Sequence, residues 1–303
     1  MSSRRFDMSP TEFLNSDYLK NLKQKFINNE FDITCRACKK LEDSGVQSFR
    51  QFMLNVYGED VTTDTIDYME LRTSNLCNFQ CIMCNAQNSS LIAGEVFNIK
   101  ENDWEEILVL SESLKYLILT GGEPMLIKHY YQLLDHLVSK NKTDIELRIY
   151  TNASVFNPVF IEKILKFNTV LNLSIDGVGE TAVKQRQGTD WQVVDDNIHK
   201  FLTLPISVNF HSTFTNITII DVHSLAKYFV EVAKKNPKCT FSSHIVTLPN
   251  QLSVFNILPS DLPIALASIE EALPILEGEQ FKNLRYRLTT YKSMLTQKLT
   301  ALL

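Results

Sequence analysis

The string Cys77-Asn78-Phe79-Gln80-Cys81-Ile82-Met83-Cys84 gathers three cysteines at the spacing Cys-x3-Cys-x2-Cys. Three thiolates close together are one short of the four that a structural zinc or a fully ligated four-iron cluster uses. An open coordination position follows, and an iron left without a protein ligand can bind a substrate or cofactor directly. A zinc knuckle completed by a His or Asp is the other reading of the same spacing. Cys35 and Cys38 form a second metal-like pair, and Cys239 stands apart as the sixth cysteine.

Cysteines clustered in this way suit ligation better than disulfide stapling. No apolar h-region follows the start Met-Ser-Ser-Arg-Arg, and no apolar run reaches the ~20 residues of a membrane span. The expected location is therefore the cytoplasm, where thiols stay reduced and close-spaced pairs bind metal or do redox chemistry. The sequons at Asn88, Asn141, Asn152 and Asn216 then carry no glycan. With 44% apolar and 21% charged residues the chain is expected to be globular. A net charge of −5 gives no strong nucleic-acid signal.

The elements that must position these groups follow from the apolar pattern. Phe13, Leu14, Leu19, Leu22 and Phe26 fit one helical stripe, and a loop with Cys35 and Cys38 follows. Leu41, Val46, Phe49, Phe52, Met53 and Val56 predict another helix ended by Gly58. From residue 66 the texture changes to six short runs rich in Ile, Leu, Val and Tyr, at 68–72, 116–120, 146–151, 170–175, 207–211 and 241–247. Helical stretches at 104–110, 127–138, 159–167, 193–202 and 225–232 separate them. Strand alternating with helix predicts βαβ units and a parallel sheet. Six repeats are too few for an eight-stranded barrel, so the expected fold class is α/β, a partial (β/α)6 barrel with helical N-terminal and C-terminal extensions. The expected boundaries are 1–62, 63–250 and 251–303, the last an irregular Pro-rich connection followed by a helix over 281–303. Polar residues just after the strands mark the functional face of such a fold.

On these residues the chain resembles the radical S-adenosylmethionine (SAM) superfamily. The cysteine loop is similar to the family motif, and Thr120-Gly121-Gly122-Glu123-Pro124 after the second strand resembles its GGEP element. The resemblance implies a 4Fe-4S cluster on Cys77, Cys81 and Cys84, with Phe79 and Met83 beside the cofactor. SAM would bind the open iron and be cleaved to a 5′-deoxyadenosyl radical that abstracts hydrogen. It implies Gly121, Gly122, Glu123 and Pro124 around the SAM amino group, with Glu123 as the acidic partner. Asn152, Ser174 and Asp176, after the third and fourth strands, match segments whose polar side chains approach the cofactor. Arg186 matches a position that pairs with the SAM carboxylate, Lys184 being the weaker candidate, and Val246 could flank adenine or line the substrate space. The ordinary alternative for the strand-end groups is turn chemistry. His211, Thr213 and His244 could line the substrate space or serve structurally. The catalytic residues beyond the cofactors are unassigned.

The Cys35/Cys38 segment and the barrel resemble radical SAM proteins with a twitch domain. Relatives of that kind carry an auxiliary cluster with ligands after the barrel, where this chain has no cysteine beyond Cys239. Cys35, Cys38 and Cys239 are thus candidates for an auxiliary Fe-S cluster or zinc. The alternative is a buried apolar Cys239 and a pair that binds zinc or nothing. The expected partners are SAM, a one-electron reductant such as flavodoxin or ferredoxin, and a peptide or small-molecule substrate. The leading function is radical modification of a peptide or protein. The alternatives are rearrangement of a small molecule or nucleotide, and a non-catalytic iron–sulfur or zinc binding module.

Overall fold

The computed structural model describes residues 8–28, 30–45, 47–58 and 65–302. Val46 and Leu303, both taken into the helical patterns above, lie outside them, as do the start residues of the chain. In chain order the elements begin with helices α1 (Pro10–Leu14), α2 (Asp17–Ile27), α3 (Arg36–Asp43) and α4 (Phe49–Tyr57). There follow β1 (Tyr68–Leu71), β2 (Gln80–Cys81), α5 (Ser90–Ala93), α6 (Glu101–Leu110), β3 (Tyr116–Leu119), α7 (Lys128–Ser139), β4 (Glu146–Thr151), α8 (Pro158–Ile164) and β5 (Asn168–Ser174). The remainder is α9 (Gly179–Gln185), β6 (Arg186–Gln187), α10 (Trp191–Phe201), β7 (Ser207–Phe214), α11 (Val222–Lys235), β8 (Thr240–Ile245), α12 (Leu262–Ala272) and α13 (Lys282–Leu302).

The chain divides into two compact units, one of residues 1–67 and 99–114, the other of 68–98 and 115–303. In the first, the single stripe expected through Phe26 is two helices. Ser16 interrupts it because its hydroxyl accepts from the Leu19 N–H and caps α2, as Ser9 caps α1. The helix expected from Leu41 to Val56 is likewise two, since Ser48 opens α4 with a capping box to Gln51. Cys35 ends a short 3-10 turn and Cys38 lies within α3, so the pair is not in a loop.

The second unit holds six strands in the order β1-β3-β4-β5-β7-β8, every pair parallel. Strands laid down in sequence order wind in one direction, as in a barrel, but β1 and β8 are the outer strands and the sheet stays open. One face is apolar and closed: Leu117, Leu119, Leu147, Ile149, Leu171, Leu173, Phe210 and Phe241 are at most 2% exposed. Helices cover it with Leu133, Leu134, Phe160, Ile198 and Phe229. The alternate positions, including Arg148, Tyr150, Asn172, Asn209, His211, Ser242 and His244, make a polar face, as the period of two requires. After β8, α12 was not expected. Pro263, one of the prolines of the stretch expected to be irregular, stands in the first turn of that helix, where its missing N–H costs nothing. Among the described residues no helix is long and apolar enough to cross a membrane.

Candidate functional site

The three cysteines follow the carboxyl end of β1, in a loop held on several sides. Cys81 lies in β2, which pairs antiparallel with β6 so that Cys81 stands opposite Arg186. The Ser90 hydroxyl accepts from the Cys77 N–H at 3.2 Å, and the Ser89 hydroxyl donates to the Phe79 carbonyl at 2.7 Å. Asn78 donates to the Ser154 hydroxyl at 2.8 Å and accepts from the Asn152 side chain at 3.1 Å. Cys84 closes a turn, its N–H donating to the Cys81 carbonyl at 2.9 Å. Phe79 is buried beneath the loop and Met83 is half-buried in it.

The glycines of the GGEP element are spent on this loop. A Cβ on Gly122 would lie 2.0 Å from the Leu76 carbonyl oxygen, and one on Gly121 would lie 2.7 Å from that of Ser74. The absent side chains therefore let the β3 turn press against the backbone just ahead of Cys77. The Gly122 and Glu123 N–H groups donate to Ser74 and Leu76. Pro124 is buried in the turn behind them.

Glu123 is fully buried. Its carboxylate accepts from the Thr151 hydroxyl at 2.7 Å, the Asn152 N–H at 2.8 Å and the Met125 N–H at 3.3 Å, tying the end of β3 to the end of β4. Burial pushes its pKa up to about 7 against those three hydrogen bonds and the charge of Arg186. Asn152 hands its N–H to Glu123 and its side chain to Asn78, so one residue joins the carboxylate to the cysteine loop.

Asp176 and Arg186 form a buried pair, Nε to Oδ2 at 2.7 Å, with side chains 0% and 14% exposed. The other Asp176 oxygen accepts from the Thr213 N–H at 2.7 Å. Arg186 Nη1 lies 3.8 Å from Cys81 Sγ. Burial alone would lower the guanidinium pKa; the negative charges of Asp176 and Cys81 outweigh it and raise it. Ser174, half-exposed at the end of β5, is opposite His211 in the register. His211 bonds Ser242 through Nδ1 at 2.9 Å and meets His244 edge to face, and burial lowers it to about 4. Val246 is buried, its N–H donating to Phe214. Lys184 is exposed and pairs with Glu180. Cys239 is buried just before β8, its thiol donating to the Asn236 carbonyl at 2.8 Å. Cys35 and Cys38 are half-buried in the other unit.

The donor set can be tested against an iron–sulfur cluster. Burial pushes Cys77 up to about 11 and raises Cys81 and Cys84, so these thiols ionise only when an electrophile compensates the charge. Each of Cys81 and Cys84 adds to the rise at Cys77, which puts the three within electrostatic reach of one another. Among the described residues no three His, Cys, Asp or Glu side chains converge closely enough to hold one metal ion. A cubane asks less convergence, because each thiolate ligates a different iron at its own corner. Three soft donors spread around a shared space thus suit a cluster better than a single zinc.

Sequence reasoning missed the scaffolding of this site: Asn78, Ser89, Ser90, Thr151 and Ser154. The residues between the cysteines were the available signal, since an Asn beside a ligand invites the question of what orients it.

A parallel sheet wound in sequence order, with a three-cysteine loop after its first strand, defines the class. The family model described as the radical SAM superfamily matches residues 71–229. The chain belongs to that superfamily of enzymes. GTP 3′,8-cyclase of Campylobacter lari is 28% identical over 155 residues, 48% of this chain and 46% of that one. The radical SAM cyclopropyl synthase TigE of Paramaledivibacter caminithermalis is 22% identical, covering 48% and 34%. The chain thus spans less than half the length of either relative. Among solved structures, anSMEcpe with bound AdoMet superposes with a TM-score of 0.51 at 19% identity, covering 68% of this chain and 58% of that one. Streptococcus suis SuiB bound to the precursor peptide SuiA gives 0.50 at 17%, covering 80% and 60%. These two are likenesses of fold.

Proposed function

We propose that this chain is a radical SAM enzyme in which Cys77, Cys81 and Cys84 hold a 4Fe-4S cluster and a peptide or protein is the substrate. The observation that carries the reading is the loop after β1 that brings Cys77, Cys81 and Cys84 within electrostatic reach of one another, Cys81 buried and the other two half-buried. When bound, the cluster would supply the electron for reductive cleavage of SAM, the source of the hydrogen-abstracting 5′-deoxyadenosyl radical. The chain's own residues hold these groups in place. Glu123 braces the turn nearest Cys77 and is the acidic partner of the SAM amino group, with Gly121, Gly122 and Pro124 shaping that turn. Asn152 fixes the cysteine loop, the Ser174 hydroxyl contributes a polar contact, and Val246 flanks adenine. The remainder of the polar sheet face receives the substrate, and its apolar underside excludes water.

A peptide substrate is supported by the name of the SuiB complex with its precursor peptide and by the open sheet, whose outer strands offer an edge to an extended chain. A nucleotide substrate is the second reading, favoured by the likeness to GTP 3′,8-cyclase. We assign the segments 1–62 and 251–303 as extensions of the twitch-bearing kind around a 63–250 catalytic core. The reductant is a flavodoxin or ferredoxin in the cytoplasm. Anaerobic reconstitution with iron and sulfide tests the core of the reading. The wild type gains cluster absorbance and cleaves SAM under dithionite, and Cys81→Ala does neither. A variant that still cleaves SAM would sink the assignment.

A further inference from the structure

Of the three thiols in the loop, Cys81 is the one set against a charged side chain. The β2–β6 ribbon places it directly opposite Arg186, and Nη1 stands 3.8 Å from the sulfur. The guanidinium cannot swing away freely, because its Nε is 2.7 Å from the fully buried Asp176 carboxylate. Asp176 is itself fixed through its other oxygen by the Thr213 N–H. Neither Arg186 Nε nor Asp176 Oδ2 makes a well-directed hydrogen bond, so the two are held as charges in a closed site.

We propose that Arg186, braced by Asp176, is a positioning residue whose positive charge at the Cys81 sulfur sets the reduction potential of the cluster which that sulfur ligates. The inference rests on the function proposed above and adds a second task to a residue otherwise assigned to a cofactor carboxylate. Charge and hydrogen bonds at the ligating sulfurs are the protein's levers on such a potential. Reduction adds one electron, taken from dithionite in the experiment below, to the sulfur-ligated irons. A cation at the sulfur stabilises the added charge, and burial keeps water from screening it. Asp176 tempers the effect, so the two residues act with opposite sign.

The test is a redox titration of the reconstituted full chain without SAM, followed by the electron paramagnetic resonance signal of the reduced cluster. In Arg186→Gln the reduced-to-oxidised ratio at fixed poise falls about tenfold, a midpoint about 59 mV more negative for one electron. Arg186→Lys restores most of the wild-type value. Asp176→Asn moves the midpoint the other way, because the guanidinium is left uncompensated. SAM affinity is measured on the same samples by equilibrium dialysis. Midpoints that stay unchanged, or that move in the same direction in Arg186→Gln and Asp176→Asn, overturn the inference. So does weakened SAM binding in Arg186→Gln at an unchanged midpoint, and that result leaves the proposed function standing. A wild type that takes up no iron overturns both.

Discussion

Cys38 rides on α3, an eight-residue helix with no buried side chain, whereas Cys81 is buried and paired backbone to backbone with Arg186. Around Cys35 and Cys38 the contacts are local: Thr34 touches Cys35, and Arg50 binds Glu42. Around the triad they come from far along the chain, from Ser154 and Asn152 to Asn78 and from Gln185 to Ile82. Cysteines three apart, one ending a 3-10 turn and the other in a helix with no buried side chain, keep their rotamer freedom until a metal orders them. Cysteines pinned by distant segments have that ordering cost met by folding of the whole sheet. Spacing alone makes both sets metal-like, and the origin of their neighbours separates them.

Iron content is the most severe test of this contrast. After reconstitution, Cys81→Ala is expected to lose essentially all iron, and Cys35→Ala/Cys38→Ala to keep the wild-type value of about four per chain. A fall from about eight to about four in the double variant would show that the surface pair is a second cluster site and erase the distinction.

Backbone crowding gives the next largest effect. At Gly122 an added methyl meets the Leu76 backbone, which has no rotamer to give, while at Gly45 nothing lies within 4 Å and only a φ of +75° resists substitution. Gly122→Ala should cost about 4 kcal/mol and lower iron loading. Gly45→Ala should cost about 1 kcal/mol and leave iron unchanged. Trp104 belongs to the first unit and Trp191 to the second, so single-tryptophan versions report each unit separately in urea. Equal losses in the two variants would mean that the GGEP turn is no tighter than a surface turn.

The strands were legible because each carries an apolar face of period two: 146–151 coincides with β4, and most others agree within two residues, β7 running on to Phe214. The winding order was legible only as alternation, since register depends on contacts the sequence does not mark. The ribbon of β2 and β6 was not legible at all, because two residues per strand carry no periodicity. Likewise Asn78 and Asn152 are 74 positions apart, and no local pattern announces their bond. In the first unit Ser16 and Ser48 divided apparently continuous stripes, since capping by a hydroxyl overrides an apolar pattern too short to nucleate through it. The cysteine loop and Glu123 were legible from residue type. That Glu123 is enclosed by Thr151, Asn152 and Met125 was not.

The two units also differ in how a carboxyl group depends on pH. Burial in the sheet unit raises Glu123 from 4.5 to about 7. Its folded form holds a proton that its unfolded form has lost, so its contribution to stability is complete below pH 4.5 and disappears as pH rises through 7. At about 1.4 kcal/mol per unit the loss is about 3 kcal/mol in the cluster-free protein. Asp32 in the first unit goes the other way. Hydrogen bonds from Lys25 and Thr34 lower it from 3.8 to about 2, so its contribution is present above 3.8 and is lost as pH falls through 2. His211, pushed by burial from 6.5 to about 4, opposes Glu123 over part of the same range. The difference between wild type and Glu123→Gln cancels the His211 contribution and isolates the carboxyl. Followed by Trp191 in urea, that difference should shrink the wild-type advantage steadily from pH 4.5 to 7 and then level off. A constant difference across that range would mean that the three hydrogen bonds keep Glu123 ionised despite its burial. The sheet unit would then resemble the first unit, where hydrogen bonding governs the carboxyl.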